Sequence, residues 1–241
     1  MGGTTYLALY GKIEVLNTPA NVLQKTKTIA KMTNISSTLR YVEFGENNLI
    51  VLSSLSATFS NCSNITYIKF NKNNLQNITN LSNTFAGCQK VESISFPENS
   101  LKNVKTLYYT FASCRQLTSL IFPEGSINQV TNANHFFYDC SSLTYLTFPE
   151  GALTQVTNMS GAFEGCESLS SISFPEGSLT NVQAIQSGFD FCSSLTEVTF
   201  PDGALTQTTT INRLFYGCKN LERIYIQPGA LSSLVEMYAA F

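Results

Sequence analysis

The chain has 241 residues, 14 Lys and Arg against 16 Asp and Glu, a formal net charge of −2 and one histidine, His135. Phosphate-driven nucleic-acid binding needs an excess of basic residues that is absent here. No stretch approaches the ~18 consecutive apolar residues of a membrane-spanning helix, and a lone His leaves little for a catalytic triad or a multi-His metal site. Apolar residues make up 43% and charged residues 12%, about half the usual ~25%, so material for a core is ample.

Tyr6-Leu7-Ala8-Leu9-Tyr10 is too short for a secretory leader, follows no basic segment and precedes no A-x-A site. Tyr6 also stands where a myristoylation motif wants Ser or Thr. Thr18-Pro19 could N-cap a short helix over residues 20–31, with Pro at its first position. Leu7, Tyr10, Ile13, Leu16, Pro19, Leu23 and Ile29 also fall in the frame of the repeats that follow. Residues 1–38 therefore read as an N-terminal cap or a degenerate repeat.

From Leu39 onward the chain is periodic. Cys62, Cys88, Cys114, Cys140, Cys166, Cys192 and Cys218 are each 26 residues apart. Phenylalanine precedes each by three, from Phe59 to Phe215, and returns at Phe241. A second Phe series runs from Phe44 to Phe200 at the same interval, so 15 of the 17 phenylalanines lie in two registers. A fixed period of this length is the signature of a solenoid, whose units bury their flat faces only by stacking. Residues 39–241 hold about eight such repeats, the last incomplete.

Within one unit, Leu143-Thr144-Tyr145-Leu146-Thr147-Phe148 reads as a strand with Leu146 and Phe148 inward and Tyr145 and Thr147 outward. Pro149-Glu150-Gly151 then stops it with a turn. Equivalent strands must pair in parallel and in register. Leu153, Val156 and Met159, three apart, predict an extended or 3₁₀-like return path. Phe163 and Cys166, also three apart, predict one short 3₁₀ or helical turn on the opposite face. The expected fold is thus a repeat solenoid, a right-handed coil of 26-residue repeats with a parallel β-sheet on one face and short 3₁₀/helical turns on the other.

The pattern L-x-x-I-x-F-P-E-G, S-L-x-x-V-x-x-M and F-x-x-C-x-x-L resembles the BspA-like, treponemal-type leucine-rich repeats over residues 39–241. The resemblance implies a parallel-stranded solenoid on secreted or surface proteins of bacteria and some protists, with roles in adhesion and in binding host or matrix proteins.

Several residue sets invite chemistry. The cysteines run one per coil, ~5 Å apart by strand spacing. They neither converge on a metal nor reach disulfide geometry, which puts Cβ atoms ~3.8 Å apart. They read as buried, reduced and apolar in behaviour. Glu98, Glu124, Glu150, Glu176 and Asp202 share one slot and read as a solvated stripe, with Ca²⁺ bridging as the alternative. Sequons at Asn34, Asn61, Asn64, Asn77, Asn80 and Asn158 fit chance in a chain rich in Asn, Ser and Thr. No phosphate-binding glycine motif, acid/base pair or activated nucleophile emerges, so the reading is not an enzyme, with no cofactor and no metal.

The outward strand positions vary where the core slots do not. Tyr145, Glu197, Arg223 and Tyr225 are the candidate ligand-binding residues, because Tyr and Arg dominate interface energetics. A second variable set, Tyr108, Tyr109, His135, Phe136, Tyr138, Asp190, Phe191, Arg213 and Tyr216, marks the opposite face. The functional expectation is a non-catalytic protein-binding or adhesion module of a secreted or cell-surface bacterial-type protein. Its partner is a protein ligand (a host or matrix protein) or a glycan, with no nucleic acid and no membrane insertion. The alternative is a passive spacer or stalk within a larger surface protein or fibre.

Overall fold

A computed structural model describes residues 5–7, 11–29 and 31–241. The expectations placed on the side chains of residues 1–10, and on that of Asn34, fall outside the described residues.

The strands are β1 (Thr5–Leu7), β2 (Val15–Thr18), β3 (Thr26–Ile29), β4 (Tyr41–Phe44), β5 (Tyr67–Phe70), β6 (Ser93–Ser95), β7 (Ser119–Ile121), β8 (Tyr145–Thr147), β9 (Ser171–Ser173), β10 (Glu197–Thr199) and β11 (Arg223–Tyr225). From β2 onward, excepting β3, each bonded pair is parallel and offset by one period, as in Val15↔Tyr41, Val42↔Ile68 and Val198↔Ile224. The strand wall is segmented. Its ladders are β2-β4-β5-β6, β7-β8 and β9-β10-β11. A second parallel column of single bridges follows the return path, from Ser54↔Asn80 through to Thr210↔Glu236. The extended alternative for that path is the one observed. The helix considered over residues 20–31 does not form; Thr26–Ile29 is a strand paired with β1.

The expected 3₁₀ or helical turns on the opposite face are absent from the repeats. Among the described residues one 3₁₀ segment occurs, Met32–Ile35, in the N-terminal copy that lacks the Phe and Cys. In every later copy the three-residue spacing closes a single turn, as in Cys166 N–H to Phe163 C=O at 3.0 Å, and it does not propagate. Two residues flanking each Phe have positive φ, His135 and Asp139 around Phe137, and Gly161 and Gly165 around Phe163. A left-handed residue cannot continue a right-handed helix. Every second amide instead donates to the next coil: His135 to Ser160 at 2.9 Å, Phe137 to Ala162 at 2.7 Å, and Asp139 to Glu164 at 2.7 Å. The intervening amides close local turns, as Tyr138 does on His135 at 3.3 Å.

The core is one cluster running the length of the stack. Phe59, Phe85, Phe111, Phe137, Phe163, Phe189, Phe215 and Phe241 stack with centroids 5.2–5.9 Å apart. The Phe44 series stacks in the same way, and rings of the two series meet edge-on, as Phe70 and Phe85 do at 6.4 Å. Leu153, Leu179 and Leu205 are buried at positive φ. Left-handed geometry costs ~1–2 kcal/mol per residue, whereas burying a Leu contributes ~1.5–3 kcal/mol. Their amides also donate one coil back, Leu179 to Leu153 at 3.3 Å and Leu205 to Leu179 at 3.1 Å. Burial and the cross-coil bond together outweigh the backbone strain.

Candidate functional site

At the C-terminal end of the strand wall, the register of β10 and β11 sets Glu197 opposite Arg223 and Thr199 opposite Tyr225. Val198 and Ile224 point inward between them, so the period of two turns the polar side chains outward. Arg223 Nη2 lies 3.3 Å from Glu197 Oε2, and its Nη1 lies 3.7 Å from Glu222 Oε2. The hydrogen bond to Glu197 raises the Arg223 pKa. Tyr225 is 50% exposed. The structure thus brings together three of the four candidate residues. Tyr145, 59% exposed, sits on β8, whose ladder with β7 is not bonded to the β9–β11 ladder. The four residues do not share one continuous sheet.

The N-terminal end of the same wall is built differently. Tyr41 stacks on Tyr67 at 5.2 Å. Glu43 accepts from Tyr41 Oη at 2.6 Å and Asn71 Nδ2 at 2.8 Å, and pairs with Lys69 Nζ at 2.9 Å. These three donors hold its carboxyl down at about 2, and Glu43 in turn raises the Tyr41 hydroxyl to about 12.

The opposite wall carries two clusters. Tyr109 stacks on His135 at 4.3 Å, with Tyr108 4.7 Å from Tyr109 and Tyr138 5.4 Å from His135. Burial lowers the His135 pKa. The His135 ring lies over Gly161, where a Cβ would meet it at 2.6 Å. Further on, the Arg213 guanidinium lies 4.0 Å from the Tyr216 ring centroid and 2.7 Å from Asp190 Oδ2. Two of the variable residues are not surface groups. Phe136 is wholly buried, 4.3 Å from the Phe137 ring, and Asp190 is buried beneath Arg213. Phe136 belongs to an inward slot shared with Thr58, Thr84, Thr110, Ala162 and Leu214, all buried. Its mixture of polar and apolar residues concealed it from a reading based on apolar positions.

The cysteines are free, and all but Cys218 are buried. Each thiol lies within donor reach of a backbone carbonyl one coil back, Cys88 to Phe59 at 3.2 Å, Cys140 to Phe111 at 3.0 Å and Cys192 to Phe163 at 3.1 Å. Cys therefore fills an apolar slot while satisfying a buried acceptor. Burial raises the thiols of Cys62, Cys88, Cys114, Cys140, Cys166 and Cys192, Cys62 to about 12, whereas the hydrogen bond with Cys192 lowers that of Cys218. Among the described residues no group of three or more His, Cys, Asp or Glu could hold a metal ion. Glu98, Glu124, Glu150, Glu176 and Asp202 are all exposed.

Four sequon amides are engaged in the scaffold. Asn64 donates to Ser37 C=O at 2.8 Å and Asn77 to Ile50 C=O at 2.5 Å, while Asn80 and Asn158 accept from the amides of Ser82 and Ser160. Another series, missed in the sequence, links coils through their turns. Asn47 donates to Asn21 at 3.0 Å and Asn73 to Asn47 at 2.6 Å, all three at positive φ. Asn recurring at the repeat interval in Asn21, Asn47, Asn73 and Asn99 was the available signal.

The stacked parallel strands, inward Leu, Phe and Cys slots and 26-residue register define a leucine-rich-repeat solenoid. The profile of the BspA type Leucine rich repeat region matches in 6 copies, over residues 18–151, 55–184 and 107–237, and the chain belongs to this family. No curated protein matches it in sequence. Among solved structures, the T. pallidum Leucine Rich Repeat protein is 18% identical, with 89% of this chain and 70% of that chain covered and a TM-score of 0.43. A leucine-rich repeat protein from Bacteroides ovatus is 19% identical over 92% of this chain and 66% of that chain, at a TM-score of 0.48. A leucine rich cell surface protein from Faecalibacterium prausnitzii is 19% identical over 85% and 64%, at 0.43. The chain thus spans about two thirds of the last two proteins. No helix among the described residues is long and apolar enough to cross a membrane.

Proposed function

We propose that this chain is a non-catalytic binding or adhesion module of a secreted or cell-surface bacterial-type protein, with residues 39–241 as its solenoid and a protein ligand on the C-terminal end of the outward strand wall. The observation that carries this reading is the patch of Glu197, Arg223 and Tyr225 on adjacent registered strands and outside every core slot, with Arg223 and Tyr225 exposed and Glu197 half-buried. Interface energy concentrates in a few Tyr and Arg anchors. Tyr145, one ladder away, extends the surface without belonging to the patch.

The test is surface plasmon resonance against a panel of immobilised extracellular-matrix proteins. Arg223→Ala and Tyr225→Ala should each weaken binding to a captured partner about tenfold or more, as loss of an anchor does, while melting temperature stays unchanged. Binding that survives both changes but is lost on replacing Tyr108 or Tyr138 moves the site to the opposite wall. A chain that binds no panel member and whose strand wall tolerates every substitution is a spacer.

A further inference from the structure

The near-zero net charge hides a strong segregation. Eleven of the 14 Lys and Arg residues lie at or before Arg115, with five of the acidic residues; the remaining three basic residues share the rest of the chain with eleven acidic ones. The first half therefore carries a formal +6 and the second −8. In a stack of coils, sequence order is spatial order, so one half of the molecule is basic and the other acidic.

A groove lies within the basic half, where the turns change chemistry. Asn71-Lys72-Asn73-Asn74 gives way one coil later to Pro97-Glu98-Asn99-Ser100, and a cleft of about 800 Å³ opens between them. A second groove of about 410 Å³ adjoins it, sharing Lys102 and Asn103 and adding Lys105 and Gln129. Lys72, Lys102 and Lys105 are exposed, and none is within ion-pair distance of a carboxylate; Lys69 at the rim is paired with Glu43. Glu98 is the single acidic residue lining either groove. The remaining polar lining is mostly Asn and Gln.

We infer that this double groove binds an anionic oligosaccharide, one carrying sulfate or carboxylate groups. Three lysines on two adjacent coils supply point charges for the acidic substituents. Several side-chain amides of the lining donate to the scaffold, as Asn71 does to Phe44 C=O and Asn103 to Gln76 C=O, and leave their carbonyl oxygens to accept from sugar hydroxyls. A single-stranded nucleic acid would need exposed rings on which bases stack; the aromatic ring in the lining is Phe70, which is buried. The groove lies on the turn edge rather than at Glu197, Arg223 and Tyr225, so the inference stands independently of the protein-binding reading.

Binding is measured by isothermal titration with three probes of matched charge: a heparin-derived oligosaccharide, an oligogalacturonate and a single-stranded oligonucleotide. At least one of the two glycans should bind, and Lys102→Glu with Lys105→Glu should weaken it at least tenfold. Lys12→Glu with Lys25→Glu, equally basic sites outside the groove, should change it less than twofold. Gln129→Ala should weaken the glycan about threefold. All these positions are exposed, so unchanged melting curves are expected to accompany the losses. A preference for the sulfated or the uronate glycan identifies the substituent. Absence of glycan binding, equal losses from the two Lys pairs, or an oligonucleotide bound as tightly and lost in parallel would each overturn the inference.

Discussion

Coils in the middle of the stack and the coil at its C-terminal end carry the same inward residues, yet those residues experience different environments. Phe137 is wholly buried between Phe111 and Phe163, whereas Phe241, stacked on Phe215 at 5.9 Å, is 71% exposed. Cys140 is buried and Cys218 only partly so. On the strand wall, Glu43 is fixed by three donors, while Glu197 meets one Arg at 3.3 Å. The difference teaches that burial here is conferred by neighbouring coils, one on each side, and not by the repeat itself.

The largest effect that could break this comparison is in the core. Phe137→Ala should cost about 3–5 kcal/mol, the usual loss for a buried Phe. Phe241→Ala should cost far less. Equal losses in chemical denaturation would contradict a one-dimensional stack.

Acid sharpens the comparison between the two carboxylates. Glu43 is held at about 2, below the ordinary ~4.3 of a glutamate. Its contribution is present above the ordinary value and is lost as pH falls through about 2. Melting temperature measured from pH ~5 to ~2 should therefore fall less steeply in Glu43→Gln than in the unchanged protein. Glu197→Gln, which removes an exposed pair, should leave the profile nearly unaltered. Identical profiles for the two variants would show that the Glu43 network contributes nothing special.

The smallest effect concerns the acidic turn edge. Exposed like charges repel weakly across water and salt. Glu124→Gln combined with Glu150→Gln should leave stability unchanged or slightly raised. A calcium-dependent rise in melting temperature, abolished by that change, would establish bridging instead.

How much was legible in the sequence follows from where chemistry repeats. The Cys, Leu and Phe slots and the strand alternation repeat the same side chains, so the period, the parallel register and most of the core could be read directly. The turns beside each Phe could not. The left-handed slot before it holds Ala57, Asn83, Tyr109, His135, Gly161, Ser187 and Arg213 in turn, and Gly161 alone adopts positive φ without steric cost. That geometry is imposed by cross-coil hydrogen bonds, which no single repeat encodes. Spacing alone therefore suggested a 3₁₀ turn where a stack of β-turns stands. On the strand wall the variable residues were identifiable, but the break between β8 and β9 that separates Tyr145 from Arg223 was not.

The cysteines place one reporter in each of seven coils, and residue-resolved thiol labelling of the native protein tests the neighbour-burial account most directly. Cys218 should react first, and Cys88, Cys114, Cys140, Cys166 and Cys192 should be protected until the chain unfolds, when seven thiols become available. Interior cysteines labelled as fast as Cys218, or fewer than seven thiols after denaturation, would contradict it.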